Sequence, residues 1–80
     1  ERGQVIVKNK TDKKCTVKFK GQNYELEAGA TKVFMNLNVY NKIYDIDFYV
    51  NGNRVEKLYN GMLTCSQKKI TFTLNPEDIK

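Results

Sequence analysis

Eighty residues carry a net charge of +5, with 14 Lys and Arg against 9 Asp and Glu, two cysteines and no histidine. That is one small domain near the lower size limit for a self-sufficient core. Without histidine the chain lacks the usual base for a Ser or Cys nucleophile, the usual zinc ligand and the usual neutral-pH proton shuttle; no apolar run approaches the ~20 residues of a membrane-spanning helix.

Period-two alternation, punctuated by Gly and Asn, dominates the pattern. Residues 4–10, QVIVKNK, predict a first strand, and TDKK a polar turn. In CTVKFK, Cys15, Val17 and Phe19 share one face and Thr16, Lys18 and Lys20 the other. NYELE places Tyr24 and Leu26 inward. A two-residue II′ turn at Gly21-Gln22 joins these strands, setting Phe19 against Tyr24 and Lys18 against Glu25. TKVFMNL predicts a fourth strand of ambiguous facing, because Val33, Phe34 and Met35 are consecutive.

The longest predicted strand is 43–50, IYDIDFYV, with Tyr44, Ile46, Phe48 and Val50 inward. A turn at NGN leads into RVEKLY, and a three-residue turn at Asn51 to Asn53 is favoured because it sets Asp47 opposite Lys57. NGMLTCSQ reads as a looser stretch before a last strand, KKITFTL, with Ile70, Phe72 and Leu74 inward. Pro76 ends that strand, and residues 75–80 form a short tail.

About seven short strands with no helical periodicity predict an all-β fold over residues 1–80. The expected form is a small antiparallel β-sandwich with Greek-key crossings, immunoglobulin-like in outline. There is no Trp, and Cys65 falls before the last strand, so the likeness is to an architecture and names no family. A five-stranded OB-type barrel is the alternative, although it usually includes a helix.

Asp45, Asp47, Asn51 and Asn53 are spaced like oxygen ligands. Counted as a calcium loop from Asp45, however, position 5 is Tyr49, position 6 is Val50, and the glycine is misplaced. The outward face of a strand entering a tight turn accounts for them better. The carboxylate pairs Glu25/Glu27 and Asp45/Asp47 have the i, i+2 spacing of a retaining glycosidase, but no third group supports them. No Gly-rich phosphate loop leads into a helix. The chain reads as a non-enzyme without cofactor or metal.

Cys15 and Cys65, if bonded, close a loop of about 50 residues, for which chain entropy gives about 4 kcal/mol of stabilisation. A disulfide is expected here and would suit a secreted, periplasmic or cell-surface location. The start at Glu1 without Met reads as a trimmed or mature fragment whose targeting segment has been removed. Asn9-Lys10-Thr11 is a glycosylation sequon, a triplet common by chance.

Two surface patches stand out. Lys8, Lys10, Lys18 and Lys20 fall on one predicted face with Lys13 and Lys14 at its tip. Such a face is ordinarily a solubilising edge guard. Phe19 and Tyr24 alternate away from these lysines, so the pattern argues against nucleic-acid binding, which needs exposed aromatic platforms. The second patch is Tyr40, Tyr49 and Tyr59 with Asp45 and Asp47, a composition that suits protein or sugar binding. The leading expectation is therefore a non-catalytic extracytoplasmic interaction module recognising a protein or glycan, either monomeric or dimeric through an edge strand. The alternatives are a basic nucleic-acid-binding barrel and an inhibitor or immunity-type protein acting through the apolar segment 60–64, NGMLT.

Overall fold

A computed structural model describes residues 2–79. Eight strands follow in chain order: β1 (Arg2–Asn9), β2 (Cys15–Phe19), β3 (Gln22–Leu26), β4 (Thr31–Asn38), β5 (Lys42–Val50), β6 (Asn53–Arg54), β7 (Tyr59–Leu63) and β8 (Lys69–Leu74). They form two sheets packed as a sandwich. Sheet one has the order β4-β1-β8; sheet two has β3-β2-β5, with β6 and β7 both pairing with β5.

Alternation creates the dry interior. Val5 and Val7 from β1, Val17 and Phe19 from β2, Ile46 and Phe48 from β5 and Phe72 and Leu74 from β8 are all buried. Successive strand residues point to opposite faces, so one apolar residue in two suffices to fill the layer between sheets. Phe48 meets Tyr59 edge-on with ring centroids 4.8 Å apart, and Phe19 meets Phe34 at 4.3 Å. One pairing departs from the antiparallel expectation: β1 runs parallel to β8. The chain crosses from sheet one to sheet two and back twice, which brings its last strand alongside its first.

The first hairpin is present, but its turn is displaced by one residue. Lys20 and Gly21, with φ of 52° and 79°, form the two-residue loop, so Phe19 pairs with Gln22 and Val17 with Tyr24. Positive φ at both central positions is the I′ geometry, whose twist matches the flanking strands. The register differs by two residues, so every side chain keeps its predicted face. Thr16, not Lys18, lies opposite Glu25.

In β4 a bulge resolves the run Val33-Phe34-Met35. Gly3 pairs with Leu37 and Val5 with Phe34, so one extra residue is accommodated, with Asn36 at φ 61°. Phe34 packs inward, while Val33 and Met35 are exposed.

The second hairpin turns at Asn51-Gly52, with φ of 53° and 78°, and not through three residues. Val50 pairs with Asn53 and Tyr49 with Arg54. This register aims Asp47 at Glu56, but the hairpin's last bond to β5 runs from the Val55 N–H to the Phe48 carbonyl at 2.8 Å and Glu56 is not paired. Arg54 instead reaches Asp47 at 3.4 Å. Of the predicted strand RVEKLY only Arg54 lies in β6 and Tyr59 opens β7, and the expected loop 60–64 lies within and just beyond β7, where Leu63 is fully buried. Residues 60–63 of NGMLT are thus strand and not the looser stretch expected.

The expected disulfide is absent: Cys15 and Cys65 are both free. Thr16 pairs with Tyr49 near the C-terminal end of β5, and Leu63 pairs with Lys42 at its N-terminal end. Eight residue steps separate those ends, about 27 Å at ~3.4 Å per step. A bridge requires Cα atoms within ~7 Å. The disulfide argument for an extracytoplasmic location falls with it.

Asn9 ends β1 fully inward. Its Nδ2 donates to the carbonyls of Lys13 at 2.8 Å, Glu27 at 3.2 Å and Leu26 at 3.3 Å. Its Oδ1 accepts from the N–H and hydroxyl of Thr11 at 3.0 and 2.7 Å. The sequon asparagine is therefore a buried fastener between sheets, with no room for a glycan on its nitrogen. The tail is also more ordered than a frayed turn. Residues Pro76–Ile79 form a 3-10 helix, pinned where Asp78 accepts from the Asn75 N–H at 2.9 Å and the Tyr59 hydroxyl at 3.3 Å.

Candidate functional site

Register decides which side chains share an outer face. On sheet two, Glu25, Thr16, Tyr49 and Arg54 lie in one row across β3, β2, β5 and β6. The next row holds Asn23, Lys18 and Asp47. Tyr49 is half-buried at the centre of this grid, and its hydroxyl has no hydrogen-bond partner among the described residues. A shallow depression of about 270 Å³ forms around it, lined by Thr16, Lys18, Asn23, Tyr49 and Gly52. A second of about 450 Å³ continues from it past Asn51 and Lys14.

Two of the cations around Tyr49 are paired with carboxylates. Glu25 accepts from the Thr16 hydroxyl at 2.9 Å and sits 3.2 Å from Lys14. Those two hydrogen bonds, Thr16's first, hold its carboxyl below the usual range. Arg54 pairs with Asp47. The result is an aromatic ring surrounded by hydroxyl, amide and paired ionic groups, carried on four strands and one tight turn. Strands hold such groups more rigidly than loops do.

The predicted tyrosine patch is only partly assembled. Tyr49, Asp45 and Asp47 share the outer face of β5. Tyr40 is 67% exposed in the β4–β5 connection, beyond the opposite end of β5. Tyr59 is in the core, its hydroxyl on Asp78. Burial, then the charge of Asp78, push the Tyr59 phenol up to about 12.

The basic patch is dispersed. Strands β1 and β2 belong to different sheets, so Lys8 and Lys18 stand on opposite outer faces of the sandwich. Lys13 and Lys14 lie in the β1–β2 connection, as does Lys10 just past β1, while Lys20 is in the turn at the other end of β2. Among the described residues no group of three or more His, Cys, Asp or Glu converges as a metal site, and no helix is long and apolar enough to cross a membrane.

Sequence reasoning missed Thr16, Asn23 and Arg54 as neighbours of Tyr49, because they come from three other strands. Only the two turn types would have disclosed the grid. No protein-family model matches this chain, and neither a curated protein nor a solved structure shows significant similarity to it.

Proposed function

We propose that this domain is a non-catalytic recognition module that binds an uncharged saccharide over Tyr49. The observation carrying this reading is the outer-face grid. An amphipathic ring sits in a shallow depression whose flanking hydrogen-bonding groups come from Thr16, Asn23, Lys18 and Asn51. Tyrosine offers an apolar face for stacking at low entropic cost. The hydroxyl and amide groups around it suit a polyhydroxyl ligand. Lys14 and Arg54 are each engaged by a carboxylate, which leaves Lys18 as the cation of the depression with no ion pair among the described residues. The dispersed lysines disfavour the nucleic-acid reading.

The test is a glycan array followed by titration calorimetry of the best saccharide with wild type and Tyr49→Ala. Loss of one stacking face predicts weakening of about tenfold or more. The reading fails if no glycan binds, or if Tyr49→Ala binds as wild type does.

A further inference from the structure

Strand β8 is a free edge of sheet one. Bonds from the Gln4 N–H to Lys68 O and from the Lys10 N–H to Leu74 O, each 2.8 Å, bracket the parallel β1–β8 ladder. In such a ladder bonding residues recur every second position. Ile70, Phe72 and Leu74 therefore turn their backbone groups to β1, and Lys69, Thr71 and Thr73 turn theirs outward. The other edge strand of this sheet, β4, is interrupted by its bulge at Asn36. Strand β8 has six residues with no bulge, glycine or proline. An edge without bulge or proline is a template for another strand.

Two further observations say what kind of strand would fit. A groove of about 340 Å³ runs between β8 and β7, with Ile70, Phe72 and Tyr59 among its lining residues and Leu58, 83% exposed, as another. Among the described residues the outer face of sheet one carries Arg2, Lys8 and Lys69 and no carboxylate; the acidic strand residues Glu25, Asp45 and Asp47 all stand on sheet two. A strand added to β8 alternates in the same way as its neighbour. Its inward side chains would lie over Leu58, Ile70 and Phe72 in that groove, and its outward ones would lie beside Lys69 on the basic face.

We infer that the β8 edge captures an extended segment of a partner protein in which apolar residues alternate with acidic ones. Main-chain bonds to Lys69, Thr71 and Thr73 supply affinity, and the two faces supply selectivity. A second copy of this chain fits less well, because each carries a net charge of +5 and would bring like charge to the seam.

Phage-displayed ten-residue peptides selected on the 80-residue chain test this. The selected peptides are expected to alternate apolar residues with Asp or Glu, and on binding to slow amide exchange at Thr71 and Thr73. Thr71→Pro removes an outward N–H without touching the β1 ladder and is expected to weaken binding about tenfold. Should that variant not fold, Lys69→Glu serves instead and is expected to shift the outward positions of newly selected peptides from acidic to basic. Tyr49→Ala is expected to leave peptide binding unchanged, which separates this site from the saccharide reading. Peptides without alternation, protection on another strand, or a dimer in sedimentation that protects Thr71 and Thr73 without peptide would each overturn the inference.

Discussion

Replacing Asn9 by alanine removes five hydrogen bonds at once: three donated by Nδ2 and two accepted by Oδ1. The groups left behind are not equivalent. The Thr11 hydroxyl keeps a bond to Lys13 O at 3.0 Å, whereas the Thr11 N–H and the Leu26 carbonyl lose a partner inside a site where Asn9 is 1% exposed and Thr11 4%. A net intramolecular hydrogen bond is worth about 1 kcal/mol, and a buried group left unmade costs about 1–3 kcal/mol. Allowing the Lys13 and Glu27 carbonyls to recover water, the loss comes to about 3 kcal/mol. Total stability for 80 residues is about 4–12 kcal/mol, so this single change consumes a large share of it. The expected fall in Tm is about 12–24 °C. Urea denaturation followed by far-UV circular dichroism measures the loss. Thr11→Val, which also deletes the shared hydroxyl, should couple with Asn9→Ala so that the double mutant costs less than the sum. A loss below about 1 kcal/mol for Asn9→Ala, or strict additivity, would refute the view of Asn9 as a fastener.

Four further outcomes follow from the same geometry. Cys15 is 2% exposed, and its thiol is pushed up to about 11 by burial and then by the charge of Glu25; Cys65 is exposed. A thiol reagent should therefore modify one cysteine quickly in the native protein and the second only on unfolding. The Tyr59 phenol is raised from 10.0 to about 12, so its contribution is complete below pH 10 and lost as pH rises through 12. The difference in stability between wild type and Tyr59→Phe should shift across that window, which also separates it from the loss due to Cys15. Asp78 is held below the usual range, chiefly by the Asn75 N–H; its contribution is present above the ordinary carboxyl pKa and is lost as pH falls, so Asp78→Asn should flatten the acid limb of the stability curve. Lastly, a Cβ at Gly3 would stand 2.7 Å from Val39 Cγ1 and 2.8 Å from the Lys68 carbonyl. Gly3→Ala should destabilise by about 1–2 kcal/mol in the same urea assay, overpacking outweighing the gain from a stiffer unfolded chain.

What the sequence made legible was whatever depends on local period. Alternation in 43–50 and 69–74 identified the inward residues correctly, since burial of one face leaves little freedom in facing. Turn placement was less legible, because Lys20-Gly21 and Gly21-Gln22 are both plausible pairs and only the twist of the finished strands selects I′. The parallel β1–β8 pairing was invisible, since it joins residues more than sixty positions apart with no local signature. For the site, Tyr49, Asp45 and Asp47 sit on one strand and were grouped by period alone. Tyr40 and Tyr59 were grouped with them by composition, and the fold separates all three tyrosines. Asp78 gave no sign of its role, because a carboxylate two residues from the end of the chain looks like solvated tail until Tyr59 is seen pointing at it.

The most direct test is an amide chemical-shift map of the isotope-labelled domain titrated with short glucose, N-acetylglucosamine and N-acetylgalactosamine oligosaccharides. Saturable shifts at Thr16, Asn23, Tyr49, Gly52 and Arg54, with none at Ile6 or Val33 on the opposite sheet, are the expected result. Shifts confined to sheet one, or none at saturating saccharide, would contradict the assignment of the Tyr49 face as the recognition surface.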